Sequence, residues 1–247
     1  MKFSYYYIVL FIASISSFSL NSFAQSEDFE KYYKKYITAK ENKDTSRTTK
    51  LIQAYNALEK NHPLGSQPGD VYFSYGKYLY TQGRYAESLK SFFHAEKNYK
   101  YDNDECKVKS AKFNIGNLLS VSGNNNSAIE YLLEAKKIGN CPKSGASENL
   151  HYYNLGILFS DLDLHEESLY NYEKALDLPI TDLLDKEIHY LSKLGASNAK
   201  FNLGQTDEAI KTHLSILEDT FSANYPDEIL YYGYRDLGYF YLAQDKV

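Results

Sequence analysis

The side chains of this chain that could carry chemistry are scattered rather than gathered. His62, His94, His151, His165, His189 and His213 fall singly along 247 residues, and none belongs to an H-E-x-x-H pair that would set two imidazoles on one helix face for a metal. Isolated imidazoles of this kind read as surface or packing residues. Gly123-Asn124-Asn125-Asn126-Ser127 lacks the lysine of a phosphate-cradling loop and reads as a turn between helices, and no Gly-x-Ser-x-Gly elbow is present to aim a serine nucleophile. Glu166-Glu167 and Asp227-Glu228 stand at helix starts, where carboxylates complement the positive end of the helix dipole. Cys106 and Cys141 have no histidine near enough in sequence to complete a tetrahedral metal set. The expectation is a non-enzymatic chain with no catalytic residue, no cofactor and no metal.

What is organised is the spacing of small residues. Within Tyr72 to Ala95, Gly76, Gly83, Ser88 and Ala95 fall where a helix-turn-helix hairpin needs close backbone approach, with Tyr85 as the large side chain expected to plug the gap. The pattern returns as Ile115-Gly116, Leu119, Gly123, Ala128 and Ala135, and again as Leu155-Gly156, Phe159, Ser168 and Ala175 before Pro179. Weaker copies follow, with Ser197, Gly204, Ala209 and Ile216, and then Tyr234, Leu237-Gly238 and Tyr241. The crossing positions 76, 116, 156, 197 and 238 are 40, 40, 41 and 41 residues apart. Glycine inside a helix costs about 1 kcal/mol relative to alanine, so three of them at equal spacing in apolar-periodic segments call for a steric reason.

These residues resemble the tetratricopeptide repeat, a unit of about 34 residues with an aromatic, Leu-Gly, aromatic, Gly-x-Tyr and Ala-Ala pattern. Tyr72, Tyr75-Gly76, Leu79 and Gly83-Arg84-Tyr85 stand at those places, with Tyr75 where the pattern has leucine. The resemblance implies an all-α fold, an α-solenoid of stacked antiparallel helix hairpins (a TPR-like superhelix), with repeats at about 69–102, 109–142, 149–182 and 190–223 and a partial one at 231–247. Residues beyond 34 per repeat are expected in the inter-repeat loops, 97–104 and 139–147.

Before the array, residues 25–66 read as a degenerate helical hairpin around Glu41-Asn42-Lys43-Asp44, with apolar stripes Phe29, Tyr32, Tyr33, Tyr36 and Leu51, Ile52, Tyr55, Leu58. Tyr36 sits where a glycine would be. Residues 1–24 have Lys2, an apolar run from Tyr5 to Leu20 and Ser22-Phe23-Ala24, the form of a secretory signal peptide cleaved after Ala24. The competing reading is a retained anchor, the run being just short of the ~20 residues that span a bilayer. An exported chain, periplasmic or extracellular and free of the membrane after cleavage, is the expectation. Export with an even cysteine count favours a Cys106–Cys141 disulfide stapling one hairpin, the alternative being two unpaired thiols.

Composition narrows the partner. A formal charge of −5 offers no basic face for nucleic acid. The 26 tyrosines and 13 phenylalanines, against no tryptophan and one methionine, suit a thin core and a recognition surface, because tyrosine buries its ring while its hydroxyl stays wet. By resemblance, the first helices line a concave face that holds a protein or peptide partner. Carried over residue by residue, Phe73, Lys77, Tyr80, Phe113, Asn117, Tyr153 and Ile157 lie on it, with Asn198, Phe201, Arg235 and Tyr239 added by the weaker copies. Exported arrays of this family also commonly precede a membrane helix and an output domain, so a sensory half of an envelope-spanning signalling or transcription regulator is the alternative. Tyr231 to Leu242 is apolar nearly all round with no second helix after it, which points to burial against a partner or self-association.

Overall fold

Eleven α-helices and no strand form among the residues that the computed structural model describes, 19–60, 63–139, 141, 148–222 and 227–244. They are α1 (Ser19–Glu41), α2 (Arg47–Leu58), α3 (Ser66–Thr81), α4 (Tyr85–Tyr101), α5 (Glu105–Val121), α6 (Asn125–Lys137), α7 (Glu148–Asp161), α8 (His165–Leu176), α9 (Leu183–Asn202), α10 (Thr206–Ser222) and α11 (Asp227–Gln244). Positions 1–18, which hold most of the apolar run from Tyr5 to Leu20, and His62 lie outside the described residues. No helix among them is long and apolar enough to cross a membrane.

The helices pair as antiparallel hairpins, α3 with α4, α5 with α6, α7 with α8 and α9 with α10, and each second helix packs on the first helix of the next pair. First helices also touch in succession, α5 on α7, α7 on α9 and α9 on α11. The result is an all-α solenoid whose core is divided along its length rather than gathered at one centre.

Sterics at the crossing points explain the interval. A Cβ on Gly76 would stand 3.1 Å from the Phe92 ring, on Gly116 2.8 Å from Leu132, and on Gly156 2.7 Å from the Tyr172 ring. The plugging side chain is thus sixteen residues after the glycine each time. Tyr85 does not fill this role: it is 42% exposed and lies beside Tyr80. The correction has a simple cause, since Tyr85 opens α4 whereas the crossing falls midway along that helix.

The turns repeat as well. Gly83, Gly123 and Gly204 take φ of 71°, 76° and 82°, and the third hairpin places Asp163 there at φ 57°. Each is followed by the same backbone closure, Arg84 N to Leu79 O, Asn124 N to Leu119 O, Leu164 N to Phe159 O and Gln205 N to Lys200 O, at 2.9–3.0 Å. The extra length per repeat is not all in loops, as the sequence suggested. Residues 97–101 continue α4, leaving 102–104 as the link, and α9 runs for 20 residues.

Cys106 lies in the first turn of α5 rather than before it, and it is bonded to Cys141 beyond α6, with Cα atoms 5.5 Å apart. Tyrosines bury their rings and tie hydroxyls to carboxylates. Asp70 on α3 accepts from Tyr99 of α4 at 3.0 Å and Tyr33 of α1 at 3.4 Å, and pairs with Lys107 of α5 at 2.9 Å, so one carboxylate joins four helices. Lys112 of α5, 8% exposed, bridges Glu96 of α4 at 2.9 Å and Glu134 of α6 in the same way.

Candidate functional site

Two pairs of consecutive first helices are bridged by side chains that share a register. Asn154 of α7 donates its Nδ2 to Asn117 Oδ1 of α5 at 2.9 Å, and Asn198 of α9 donates its Nδ2 to Asp236 Oδ2 of α11 at 2.7 Å. Between α7 and α9 the corresponding pair is Ile157 and Gly195, which cannot bridge. Gly195 has no side chain to offer, and a Cβ there would meet the Tyr172 ring at 2.4 Å. That ring of α8 lies against both Gly156 and Gly195. A cleft of about 370 Å³ lies between α7, α9 and α11, with Tyr172 and Gly195 in its lining.

Tyr153 of α7, Glu187, Leu191 and Asn198 of α9, and Tyr232 and Arg235 of α11 form the walls. Burial pushes the Tyr153 phenol up to about 12, with Tyr232 and Glu187 adding to the rise, so it stays a neutral hydrogen-bonding group. Asn198 turns its Nδ2 to Asp236, which leaves its buried Oδ1 without a donor among the described residues. Arg235 places Nε 2.7 Å and Nη2 2.6 Å from Asp236 Oδ1, and its guanidinium stacks 5.1 Å from the Tyr232 ring centre. Burial of the Asp236 carboxyl disfavours its charge. The Asn198 amide and the Arg235 guanidinium, both within hydrogen-bonding distance, overcome that penalty and hold it below the usual carboxylate range.

Behind the cleft, Ser197, His213 and Asp236 stand in a row that superficially suggests a nucleophile and its base. The chemistry does not follow. Ser197 and His213 are fully buried; the Ser197 hydroxyl donates to Ala209 O at 2.8 Å and lies 2.7 Å from His213 Nδ1. A hydroxyl whose proton is given to a helix carbonyl accepts from the imidazole rather than surrendering its proton to it. His213 Nε2 lies 3.9 Å from Asp236 Oδ2, beyond hydrogen-bonding reach. The row is a packing device that seats α11 on α10.

The residues carried over by resemblance divide along the array. Tyr153 lines the cleft, as do Asn198 and Arg235 from the weaker copies. Lys77 and Tyr80 are exposed near the turn of the α3–α4 hairpin, away from the cleft. Phe73 is half-buried against Phe92 and Tyr99. Asn117 is engaged by Asn154, and Ile157 is half-buried. Phe113 is 4% exposed with its ring 4.2 Å from that of His151, so in this structure it belongs to the core rather than to an open face. Phe201 stacks on Phe240 at 4.1 Å, and Tyr239 is exposed beside it. Tyr172, Glu187, Leu191, Gly195, Tyr232 and Asp236 were not anticipated. Gly195 carried the usable signal: it is a glycine at the position held by Ser74, Asn114, Asn154 and Asp236 in the other repeats.

No family model and no curated protein sequence matches the chain. Solved structures do. YrrB, described as a TPR protein with an unusual peptide-binding site, superimposes with a TM-score of 0.52 at 18% identity over 78% of this chain and 84% of that one. A signal transduction ATPase with numerous domains and a tetratricopeptide repeat sensor, from Pyrococcus horikoshii, matches with a TM-score of 0.65 at 19% identity over 89% of this chain and 34% of its own. A Rap protein in complex with competence and sporulation factor matches with a TM-score of 0.56 at 15% identity over 94% and 63%. The fold is that of a tetratricopeptide repeat array. The tetratricopeptide hairpins seen here are α3–α4 through α9–α10, with α11 as the first helix of a further one.

Proposed function

We propose that this array is a non-enzymatic protein-interaction module that holds a segment of a partner protein in the cleft between α7, α9 and α11. The observation that carries the reading is the cleft itself. It is a concave space lined by Tyr153, Tyr172, Tyr232 and Leu191 together with the Asn198 amide and the Arg235 guanidinium. Its volume falls in the range of ~300–1,000 Å³ typical of binding sites. Rigid aromatic rings supply contact area at small entropic cost, and an Asn Oδ1 lacking a donor suits a peptide N–H. The described peptide-binding site of YrrB and the bound factor of the Rap protein support a peptide or protein ligand for this architecture.

The test is selection of a displayed peptide library on the purified chain. Enrichment of related sequences that is lost on Tyr153→Ala or Arg235→Glu supports the cleft. Enrichment unaffected by both variants removes it from consideration.

Export remains part of the proposal. Residues 1–24 have signal-peptide form, and the Cys106–Cys141 bond suits an oxidising compartment. Amino-terminal sequencing of the protein from its native source checks this: a start at Gln25 supports it, and a retained Met1 opposes it. A second reading makes the array the sensory half of a larger signalling protein, favoured by its likeness to one third of the ATPase that carries a tetratricopeptide sensor. The DNA beyond the Val247 codon distinguishes the two: an open frame encoding a membrane helix and an output domain favours the sensor.

A further inference from the structure

Three charged side chains line the cleft, and two of them answer each other. Arg235 of α11 places Nε 2.7 Å and Nη2 2.6 Å from Asp236 Oδ1, and its guanidinium stands 5.1 Å from the centre of the Tyr232 ring. The third is Glu187, in the second turn of α9, which meets no cation at ion-pair distance among the described residues. Glu187, Leu191, Leu194 and Asn198 follow one another at i, i+4, i+7 and i+11, so a single stripe of α9 lines the cleft. Glu187 is half-buried, and its charge reaches Tyr153 of α7, where it adds to the effect of burial in pushing the phenol up to about 12.

Both sides of the cleft thus join a tyrosine ring to a carboxylate. On the α11 side Tyr232 and Asp236 hold a guanidinium of the chain itself. On the α7 and α9 side Tyr153 and Glu187 offer the same two groups, and no lysine or arginine of the described residues lies over the Tyr153 ring. The face of such a ring is negative and attracts cations, and a carboxylate partly withdrawn from water is stabilised by a counter-charge brought to it. The remaining polar groups point the same way. Asn198 Oδ1 is an acceptor without a donor, no lysine lines the cleft, and the one arginine is engaged by Asp236, so a carboxylate ligand would find no free cation there.

We infer that the cleft selects a partner segment carrying a lysine or arginine side chain, whose cationic head is held by Glu187 and the Tyr153 ring. The inference rests on the cleft reading above and deepens it, since that reading names no residue type in the ligand. Glu187 is then the residue that determines specificity, and Tyr153 supplies contact area. The formal charge of −5 on the whole chain favours the approach of a basic segment as well.

Selection of a displayed peptide library on the wild type, Glu187→Lys and Tyr153→Ala tests this, followed by calorimetry with a synthetic selected peptide. The wild type is expected to enrich sequences that share a lysine or arginine at one position, and Glu187→Lys to enrich an acidic residue there. Replacing the shared basic residue by norleucine, an uncharged straight chain, is expected to lower affinity about tenfold on the wild type and to leave it unchanged on Glu187→Gln. Because Glu187 makes no ion pair within the described residues, both Glu187 variants are expected to keep the melting midpoint of the wild type, which circular dichroism verifies. Enriched sequences without a shared basic position, yet lost on Tyr153→Ala, overturn the inference and leave the cleft standing. So does a norleucine replacement that costs as much on Glu187→Gln as on the wild type. Enrichment that Tyr153→Ala leaves intact, or no enrichment at all, overturns the cleft reading and this inference with it.

Discussion

The hydroxyl of Ser197 donates to the carbonyl oxygen of Ala209 at 2.8 Å, running from the first helix of its hairpin to the second. In two earlier hairpins the same link runs the other way, from Ser88 to Gly76 O at 2.7 Å and from Ser168 to Gly156 O at 2.8 Å. The fourth hairpin carries its serine on the first helix and an alanine on the second, keeping both small. That serine stands beside His213, whose Nδ1 lies 2.7 Å from its hydroxyl. Ser197→Ala therefore strands a fully buried imidazole N–H, whereas Ser88→Ala removes one hydrogen bond and strands none. Chemical denaturation is expected to show a loss of about 2–3 kcal/mol for Ser197→Ala and about 1 kcal/mol for Ser88→Ala.

Left-handed backbone at the hairpin turns makes a pair of opposite predictions. Asp163 holds φ 57° at an exposed position where the neighbouring hairpins have glycine. Asp163→Gly removes a left-handed penalty of about 1 kcal/mol and is expected to raise the melting midpoint, while Gly123→Ala, at φ 76°, lowers it by a comparable amount.

The disulfide encloses the α5–α6 hairpin, with its cysteines 35 residues apart. Chain-entropy reasoning gives about 4 kcal/mol for a loop of that size. Reduction, or Cys106→Ser with Cys141→Ser, is expected to weaken the array by up to that amount. Hydrogen exchange is expected to rise first in α5 and α6, the helices that the bond joins.

Acid sensitivity is expected at the α9–α11 junction. The pKa of Asp236 is lowered in the folded chain, so its contribution is fully present above the ordinary carboxylate range and is lost as pH falls through its own depressed value. The stability difference between the wild type and Asp236→Asn is therefore expected to be largest near neutrality and to shrink below about pH 4. A difference that grows on acidification contradicts the account of Asn198 and Arg235 as the groups holding this carboxylate charged.

Much of the array was legible because Gly76, Gly116 and Gly156 answer a local steric demand that repeats at a fixed interval. The turns at Gly83, Gly123 and Gly204 were readable for the same reason. Where three helices cooperate, the sequence was silent. Tyr172 sits against glycines of α7 and α9 together, and that coincidence exists only once the hairpins stack. Phe113 looked like a groove residue by register, yet the ring that covers it, His151, comes from the following repeat. Cleft position was hidden too, because its lining comes from α7, α8, α9 and α11 together.

Binding by the cleft, rather than by the whole inner curve, is the claim on which the functional account turns. Titration calorimetry of a selected peptide against four variants tests it most directly: Tyr153→Ala and Arg235→Ala in the cleft, Lys77→Ala and Tyr80→Ala at the α3–α4 hairpin. The account predicts affinity lowered at least about tenfold by the first two, near 1.4 kcal/mol each, and unchanged by the last two. Loss of affinity with Lys77→Ala or Tyr80→Ala while the cleft variants bind normally contradicts it.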